Sequence, residues 1–595
     1  MIVKAGPVQA LYDKGFLRYI QTAGHEVVRM IYFAVRDQDW ETILGTLTDE
    51  HIHTSEDTFS ISYTYHLNHQ DIKMKWQAKI KGQADGTITF DLKGFAQSNF
   101  LRNRAGFCVL HPITGITGQS CRLEHPDGSF TYGTFPIRIS PHQPFLNLKA
   151  MEWPVAEQGV ARLEFSGDIF ESEDQRNWSD ASYKTYCTPL SKPIPAQVHS
   201  GDEIQQQVVF RLVKPVPVVT TTPTTLLSRI HVHPQPIAFP ELGLGMNSFG
   251  SDPNANEVHF LQSLGLKHLR ADVFLNQAHW REPLKRSLHQ STILTIPLEL
   301  ALFFGEDASE QVHSFVNFIQ AQAVPLQSIL IFDAAKSYTT DALLQKVVPA
   351  LRTTFPGVPL GGGSDANFTE FNRHPFTLTS TDFVVYAINP QVHAFDDLTL
   401  IENTASQADT VESARHIAGK RPIHLSPVTL KPRFNAIVSS DQNTSTIPTD
   451  PRQPTSFISG WTLASLKYLT EAGAASITYF ETTGPNGIYH QDQPYAVGYL
   501  LAYILAFKPI HVLPTNHPEP LKITSFLLRN DIGSCLLIAN HTSEPQVVEL
   551  PENFIIHTHT IIGTATGKAT YPNYLPGSQL TLSAFQTVAL DGALL

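Results

Sequence analysis

The chain has 595 residues, a formal net charge of −12, and 42% apolar and 16% charged residues. A chain of this length predicts about three or four domains, since single domains usually hold roughly 100 to 200 residues. The apolar content excludes a disordered protein, and the acidic balance argues against a nucleic-acid partner, because nucleic acids require a basic surface. A small neutral or sugar-like molecule fits this composition better than a polyanion.

The cysteines and the N-terminal residues give information on the cellular compartment of the protein. The four cysteines show neither metal-site nor disulfide-framework spacing. Cys108 and Cys121 could pair across a hairpin, but we favour buried thiols. Residues 1–7 lack a signal-peptide core, and no stretch reaches the roughly 18 apolar residues of a membrane helix. We therefore expect a soluble protein of the cytoplasm with no membrane partner, although a mature chain without its signal peptide would look the same.

The first domain, predicted over 1–214, consists of short runs in which apolar and polar residues alternate. Clear examples are 59–65, 72–80 and 86–92. This period of two, interrupted by turn residues, predicts antiparallel strands with one buried face and hence a large β-sandwich. A segment rich in proline and threonine follows, and we predict a linker over 215–235.

A strongly polar segment lies near the end of this first domain, at residues 170–184. It carries Asp174, Arg176, Asn177 and Asp180 around a single tryptophan. The segment could be a ligand-facing loop or a hydrated turn, and the sequence leaves both open.

Residues 236–510 are predicted to form a (β/α)8 barrel, because short apolar runs alternate there with amphipathic segments. Two of the helical segments are 257–264 and 311–319. Eight runs read as strands: 242–248, 266–274, 293–300, 328–333, 358–363, 383–389, 422–427 and 476–481. The alternation returns to a period of two in 511–595, which predicts a small C-terminal β-sandwich.

Barrel enzymes place their chemistry at the carboxyl ends of the strands, so polar residues there are the candidate site. In strand order these are Asn247, Arg270 and Asp272, Glu299, Asp333, then Asp365, Glu370, Asn372 and Arg373, then Asn389 and His393, and finally Glu481. After the seventh strand the assignment is less clear, though Thr429, Lys431 and Arg433 follow it.

Two carboxylates are the predicted acid/base pair. Glu481 ends an apolar strand, and partial desolvation there raises the pKa of a carboxyl group. Glu370 follows Gly361–Gly363, where the missing side chains would let a ligand approach the backbone. The alternative for Glu481 is a structural ion pair with Arg270 or Arg433. Which of Glu370 and Asp365 reacts stays open.

Paired carboxylates on a barrel suggest either an exo-acting glycoside hydrolase or a lactonase. In a lactonase one carboxylate activates water, while His393, Asn372 or Arg373 stabilises the oxyanion. Asp365, Arg270, Asp272, Asp333 and Asn247 would bind substrate. The sequence contains no G-x-S-x-G motif, which would have suggested a serine esterase. A carbohydrate-binding protein that has lost catalysis is the alternative outside enzymes. The pair His231 and His233 is a weak metal signal, so we expect no metal and no cofactor.

Several segments together resemble one family. They are 17–20, 31–37, 173–186, 362–373 and 479–484, the last reading Tyr-Phe-Glu-Thr-Thr-Gly. They span the first domain and the barrel, and on them the chain resembles the bacterial D-apionate lactonases of apiose catabolism. The resemblance implies a β-sandwich, a barrel like that of glycoside hydrolases and a C-terminal β domain. It also implies hydrolysis of D-apionolactone to D-apionate. The roles of Glu370 and Glu481 come from their positions and not from the family.

Overall fold

A computed structural model describes residues 1–156, 158–216, 229–322, 325–434, 448–563 and 577–594. The chain forms two compact units, one of Met1–Arg176 with Ala181–Thr222, the other of Asn177–Asp180 with Pro223–Leu595. Most of the predicted linker, residues 217–228, lies outside the described residues. The boundary predicted at residue 510, within the second unit, stays a prediction.

The first unit is an all-β structure of two large antiparallel sheets. One has the order β1-β2-β3-β4-β10-β17-β16-β13, with β5 and β18 at its side, and the other β12-β11-β14-β15-β19-β9-β8-β7-β6. The strands are β1 Ile2–Ala5, β2 Val8–Asp13, β3 Phe16–Thr22, β4 His25–Asp37, β5 Thr42–Ile43, β6 Gly45–Thr54, β7 Phe59–His69, β8 Ile72–Gly82, β9 Ile88–Ala96, β10 Phe100–Pro112, β11 Ser120–Glu124, β12 Phe130–Thr134, β13 Phe145–Leu148, β14 Ala150–Val155, β15 Gly159–Ser166, β16 Phe170–Asp174, β17 Ser182–Tyr186, β18 Ala196–Val198 and β19 Glu203–Lys214.

The alternating pattern explains how these sheets pack. Along β8, Met74, Trp76 and Ile80 are buried, while the lysines between them are exposed or partly exposed. Residues of both sheets contribute to a single apolar core, among them Trp76 and Phe107. Successive side chains of a strand point to opposite faces, so one face of each sheet is buried. The β-sandwich prediction is confirmed.

The second unit contains the barrel and a C-terminal β region. Its elements are β20 His231–Val232, β21 Ile237–Ala238, β22 Glu241–Gly245, α1 Ala255–Leu264, β23 His268–Phe274, α2 Arg281–Leu294, β24 Leu298–Phe304, α3 Ala308–Ile319, β25 Leu326–Asp333, α4 Asp341–Thr354, β26 Leu360–Ser364, α5 Phe368–Arg373, β27 Phe383–Ile388, α6 Asp397–Ala418, β28 Ile423–Val428, α7 Ser456–Glu471, β29 Ser476–Thr483, β30 Gly487–His490, β31 Gln493–Pro494, α8 Ala496–Phe507, β32 His511–Leu513, β33 Thr515–Asn516, β34 Ile523–Arg529, β35 Ser534–Asn540, β36 Gln546–Glu549, β37 Phe554–Ile562, β38 Gln579–Leu582 and β39 Thr587–Leu594. Short 3₁₀ helices cover Gln175–Trp178 and Leu378–Ser380.

The barrel closes because β22 pairs in parallel with both β23 and β29. The other strands pair in sequence order from β23 to β29. All eight predicted barrel strands are present, so the barrel prediction is confirmed. The third strand is predicted too early: the apolar run Ile293–Leu294 ends helix α2, and the strand begins at Leu298.

The C-terminal region packs a six-stranded sheet, β21-β32-β34-β35-β39-β37, with the ribbon β36-β38 over one core that includes Leu527, Leu536 and Leu582. This β-rich region agrees with the expectation. All four cysteines are buried and free. Among the helices of the described ranges, none is long and apolar enough to cross a membrane.

Candidate active site

A network of four charged side chains lies at the carboxyl ends of the barrel strands. Arg270 and Asp272 share one face of β23 because they are two residues apart. Arg270 Nε donates to Asp272 at 2.9 Å, and its other nitrogens donate to Asp365 and to the Ser426 carbonyl oxygen. Asp365 directly follows β26, and Ser426 belongs to β28. Neither strand is next to β23 in the sheet, so the Arg270 side chain crosses the barrel interior.

Arg433, in the loop after β28, completes this network. Its Nη1 donates to Asp272 at 2.5 Å and its Nη2 donates to Asp365 at 2.5 Å. Two guanidinium groups are thus paired with two carboxylates. Burial alone would raise the pKa of Asp272, but the charges of Arg270 and Arg433 outweigh it and lower that pKa. The Arg433 side chain is still 21% exposed, whereas those of Arg270 and Asp365 are 2% and 1% exposed.

A backbone irregularity directs Glu481 toward the same region. Leu244 of β22 is opposite Tyr479, but Gly245 is opposite Glu481, so Phe480 is an extra residue in β29. Phe480 has a positive φ of 40°, which marks a bulge. Without it, the strict alternation after the inward-facing Thr478 would direct residue 481 outward. Gly245 is required beside the bulge, since a Cβ there would lie 2.7 Å from the Phe480 carbonyl oxygen.

Glu481 differs from the other carboxylates of the site because no arginine or lysine pairs with it within the described ranges. Its carboxylate accepts a hydrogen bond from the Ser248 backbone N–H at 3.0 Å. Burial raises the pKa of Glu481, opposed by the Ser248 hydrogen bond and the charge of Arg433. The structural ion pair considered as an alternative is not formed: Arg270 and Arg433 pair with Asp272 and Asp365 instead. A partly buried carboxylate without a counter-ion is suited to proton transfer.

Two adjoining cavities open around these groups. The first, of about 360 Å³, is lined by Glu481, Phe480, Asp450 and Arg433. The second, of about 270 Å³, is lined by Asp365, Asn367 and Asn389, and by Thr429, Pro432 and Arg433, which it shares with the first. Arg433 stands between the Glu481 cavity and the Asn389 cavity.

Glu370 lines neither cavity. It is the third residue of α5, and its carboxylate accepts the Asn367 backbone N–H at 2.9 Å in a capping box at the start of that helix. Burial raises the pKa of Glu370 to about 7, against the opposing effect of these backbone hydrogen bonds. The contacts give Glu370 a structural function in the loop that carries Asp365 and Asn367.

The glycine run before this loop has a structural purpose besides the expected one. A Cβ on Gly361 would meet the Phe383 ring at 2.3 Å, and one on Gly363 would meet the Val385 carbonyl oxygen at 1.7 Å. Gly363 also has a φ of 158°, which glycine adopts readily. The glycines therefore make room for the neighbouring strand β27. That the glycines also admit a ligand stays a prediction.

Asn247 and Asp333 stabilise loops at the barrel mouth. Asn247 follows β22, and its amide donates to Thr483 at 2.8 Å, which ties this loop to β29. Asp333 ends β25; it accepts the Ala335 N–H at 3.0 Å and pairs with Lys336 at 3.3 Å. Neither residue lines the two cavities.

Asn372, Arg373 and His393 contact the segment Asn177–Asp180, which belongs to the second unit. The Asn372 amide donates to Asn177 at 3.0 Å, and the Arg373 guanidinium lies 5.3 Å from the centre of the Trp178 ring. His393 Nδ1 is 2.5 Å from an Asp180 carboxylate oxygen.

The same segment decides between the two interpretations of the polar region. Asn177 and Asp180 are buried, and Asp180 also accepts from the Asn403 amide at 2.9 Å. Asp174 and Arg176 form a fully buried ion pair within the first unit. The region is therefore not a hydrated turn.

Glu299 is expected at the barrel mouth from the sequence, and this expectation is wrong. It is the second residue of β24, next to Arg270 in register, and is buried inside the barrel. Its carboxylate accepts the Ser328 hydroxyl at 3.0 Å and the Ser426 hydroxyl at 2.5 Å. The error follows from the late start of β24, which puts Glu299 at the amino end of the strand.

Three residues of the cavities have no assigned function in the hypothesis drawn from the sequence. From the sequence, Asn389 is only a residue that follows a strand, Arg433 is a residue after a strand and a possible ion-pair partner of Glu481, and Asp450 is not indicated. Asp450 is held by Arg452 at 2.8 Å and by the Gln391 amide at 2.7 Å. The long segment after β28 has no periodicity from which these positions could be inferred. Within the described ranges, no group of three or more His, Cys, Asp or Glu side chains could hold a metal ion.

A closed parallel barrel is typical of enzymes that place acid/base groups at the carboxyl ends of their strands, and here a partly buried carboxylate lies there without an arginine or lysine partner among the described residues. Residues 1–215 match the family model of the D-apionate lactonase N-terminal domain, and residues 242–514 match that of the D-apionate lactonase TIM barrel domain. The chain belongs to the D-apionate lactonase family and is a hydrolase of the lactonase class.

The chain is also similar to individual proteins. A D-apionate lactonase of Brucella anthropi is 27% identical over 581 residues, covering 92% of this chain and 94% of that protein. Among solved structures, a GH30 endoxylanase from Clostridium papyrosolvens C71 is 9% identical, with a TM-score of 0.43 over 62% of this chain and 100% of that chain. A β-arabinopyranosidase is 10% identical, with a TM-score of 0.33 over 99% of this chain and 100% of that chain. Likenesses of this degree to solved structures carry no argument about function.

Proposed function

We propose that this chain hydrolyses D-apionolactone to D-apionate in the cytoplasm, with Glu481 as the acid/base group. The observation that carries the proposal is the partly buried Glu481 carboxylate at the mouth of the barrel, which has a raised pKa and no counter-ion within the described ranges. The family membership and the Brucella anthropi relative support the substrate.

In the proposed mechanism, the ionised Glu481 takes a proton from water while the water oxygen bonds to the lactone carbonyl carbon. The carbonyl oxygen becomes an oxyanion. The C–O bond to the ring oxygen then breaks, and the departing alkoxide takes the proton back from Glu481. The product is an open hydroxy acid, which ionises to its carboxylate and releases one proton to solvent.

We propose Arg433 as the group that stabilises the oxyanion, because it lines both cavities and keeps an exposed fraction of 21%. The hydrogen bonds from Arg433 to Asp272 and Asp365 use its Nη1 and Nη2. Its Nε–H has no acceptor among the described residues, and we assign it to a ligand. Electrostatic stabilisation of this kind acts strongly where water is excluded. His393, Asn372 and Arg373, the donors expected from the sequence, line neither cavity.

Asp365, Arg270 and Asp272 hold Arg433 in place in this proposal, and Asn247 and Asp333 position the surrounding loops. Glu370, predicted as the second half of an acid/base pair, becomes a positioning residue through its helix cap. A single carboxylate suffices because the proton that Glu481 removes from water is the one that the leaving oxygen needs.

The test follows proton release by the purified protein with D-apionolactone, above the spontaneous rate, and separately the hydrolysis of aryl glycosides. We expect turnover of the lactone alone. Turnover of glycosides without lactone hydrolysis would replace the proposal by a glycoside hydrolase. Saturable binding of sugars without either reaction would replace it by a carbohydrate-binding protein.

A further inference from the structure

Asn389 contains a buried hydrogen-bond acceptor that the mechanism does not use. It directly follows strand β27, and the residue is 4% exposed. Its side-chain nitrogen donates to the Asn367 side-chain oxygen at 3.1 Å. Its side-chain oxygen has no hydrogen-bond partner among the described residues. Unpaired polar atoms are rare in protein interiors, so each needs an explanation.

The orientation of the Asn389 amide is determined by the helix cap next to it. The Asn367 side-chain oxygen accepts the backbone N–H of Glu370 at the start of α5. The Asn367 oxygen can only accept hydrogen bonds, so the Asn389 atom next to it must be a donor. The Asn389 side-chain nitrogen is that donor and therefore faces Asn367. The Asn389 oxygen is consequently the atom left for another partner, and reversing the amide would place two oxygens against each other.

The space beside Asn389 belongs to the proposed site. Asn389 lines the cavity of about 270 Å³ together with Asp365, Asn367 and Arg433. Arg433 and Thr429 also line the neighbouring cavity that contains Glu481. A ligand that occupies both cavities would have one group near Glu481 and Arg433 and another near Asn389.

We infer that the Asn389 side-chain oxygen accepts a hydrogen bond from a hydroxyl group of the substrate and thereby selects hydroxylated lactones. The inference rests on the proposed lactonase function. An acceptor-only atom requires a donor, and the hydroxyl groups of a sugar lactone are its donors. A lactone without such a group would leave the Asn389 oxygen unpaired, so the site discriminates against it.

The experiment compares kcat/KM of wild-type protein and Asn389→Leu for D-apionolactone and for unsubstituted γ-butyrolactone. Leucine keeps the approximate volume and removes both the acceptor and the donor to Asn367. We expect Asn389→Leu to lower kcat/KM for D-apionolactone roughly ten- to a hundredfold, and to change that for γ-butyrolactone by about twofold at most. Asn403→Leu is the matched control, since Asn403 is a buried asparagine whose amide contacts Asp180 outside both cavities. The control should leave the ratio of the two kcat/KM values unchanged.

Equal losses for both lactones in Asn389→Leu would overturn the inference while leaving the proposed function intact. A wild-type protein that hydrolyses neither lactone would contradict the proposed function and, with it, the inference. If Asn389→Leu does not fold, wild-type protein alone decides with γ-butyrolactone and its hydroxylated derivatives. Equal kcat/KM values across that series would again overturn the inference.

Discussion

The carboxylate of Glu481 accepts the backbone N–H of Ser248 at 3.0 Å, and this contact joins the last barrel strand to the loop after the first. A backbone donor cannot lose its proton, so it holds the carboxylate in place without neutralising its charge. The arginines of the site are paired elsewhere. Glu481 is thus fixed in position and still able to exchange a proton.

Replacing Glu481 by glutamine tests its function most directly. Glutamine keeps the shape and still accepts the Ser248 hydrogen bond, but it cannot take a proton from water. We expect Glu481→Gln to lose about 10²- to 10⁴-fold in kcat at an unchanged melting temperature, measured by proton release and thermal unfolding. Wild-type activity in this variant would remove Glu481 from the mechanism.

Replacing Glu370 by glutamine is the matched comparison, because glutamine can also serve in a capping box. We expect Glu370→Gln to keep kcat within about tenfold of wild type, in contrast to Glu481→Gln. A loss as large as that of Glu481→Gln would restore Glu370 as a catalytic residue.

The stability of Glu370→Gln should depend on pH in a defined direction. The pKa of Glu370 is raised to about 7 in the folded protein, above the roughly 4.3 of an unfolded chain. Between these values the folded state binds more protons, so the free energy of unfolding falls as pH rises. A glutamine in place of Glu370 does not titrate and removes this contribution. The melting temperature of Glu370→Gln minus that of wild type should therefore be more positive at pH 8 than at pH 5. A difference that does not change with pH would contradict the assignment.

The pH dependence of catalysis should report Glu481. Because burial raises its pKa, the decline of kcat/KM on the acidic side should be centred above the usual glutamate pKa of about 4.3. Arg433 lowers the pKa of Glu481 and Asp272 raises it. Arg433→Met should accordingly move the acidic limb to higher pH. A limb that stays in place in Arg433→Met would mean that another group titrates.

Arg433 itself should matter for rate. Arg433→Met removes the proposed oxyanion donor, and we expect a loss of about 10²- to 10³-fold in kcat. Arg433→Lys should fall between this variant and wild type, because an ammonium group cannot bridge Asp272 and Asp365 as a guanidinium does. Near-normal kcat in Arg433→Met would place the oxyanion elsewhere.

Glu299 should affect stability more than chemistry. Glu299→Ala leaves the buried Ser328 and Ser426 hydroxyls and the neighbouring Arg270 without this carboxylate. We expect a loss of about 3 to 5 kcal/mol in the free energy of unfolding, measured by urea denaturation. Asp333→Ala, at the partly exposed end of the next strand, is the control and should lose much less. Equal losses in the two variants would contradict the buried network.

The sequence predicts the architecture well, because local patterns determine it. Period-two alternation and amphipathic helices are visible in short windows, and all eight barrel strands follow from them. The third strand is misplaced because Ile293 and Leu294 suit either a buried strand or the end of a helix. In the structure, the αL conformation of Thr295 ends helix α2 and so assigns Ile293 and Leu294 to the helix.

The site is predicted less completely because its contacts are distant in sequence. Glu481 can be found because it ends an apolar strand, but the bulge at Phe480 depends on pairing with Leu244 and Gly245. The pairing of His393 with Asp180 spans 213 positions, and no pattern near either residue indicates it. The Asn389 acceptor, which has no partner among the residues that the structure describes, depends in turn on a helix cap in another loop.

The affiliation of Asn177–Asp180 with the second unit has a consequence for fragment expression. A fragment that starts at the predicted barrel boundary, residue 236, would omit the partners of Asn372, His393 and Asn403. Their polar groups, buried or partly buried in the whole protein, would then face solvent or need substitutes. A barrel produced on its own should therefore be supplied with a peptide that contains Asn177–Asp180. Alternatively, Asn372, His393 and Asn403 should be replaced by residues that suit an exposed surface.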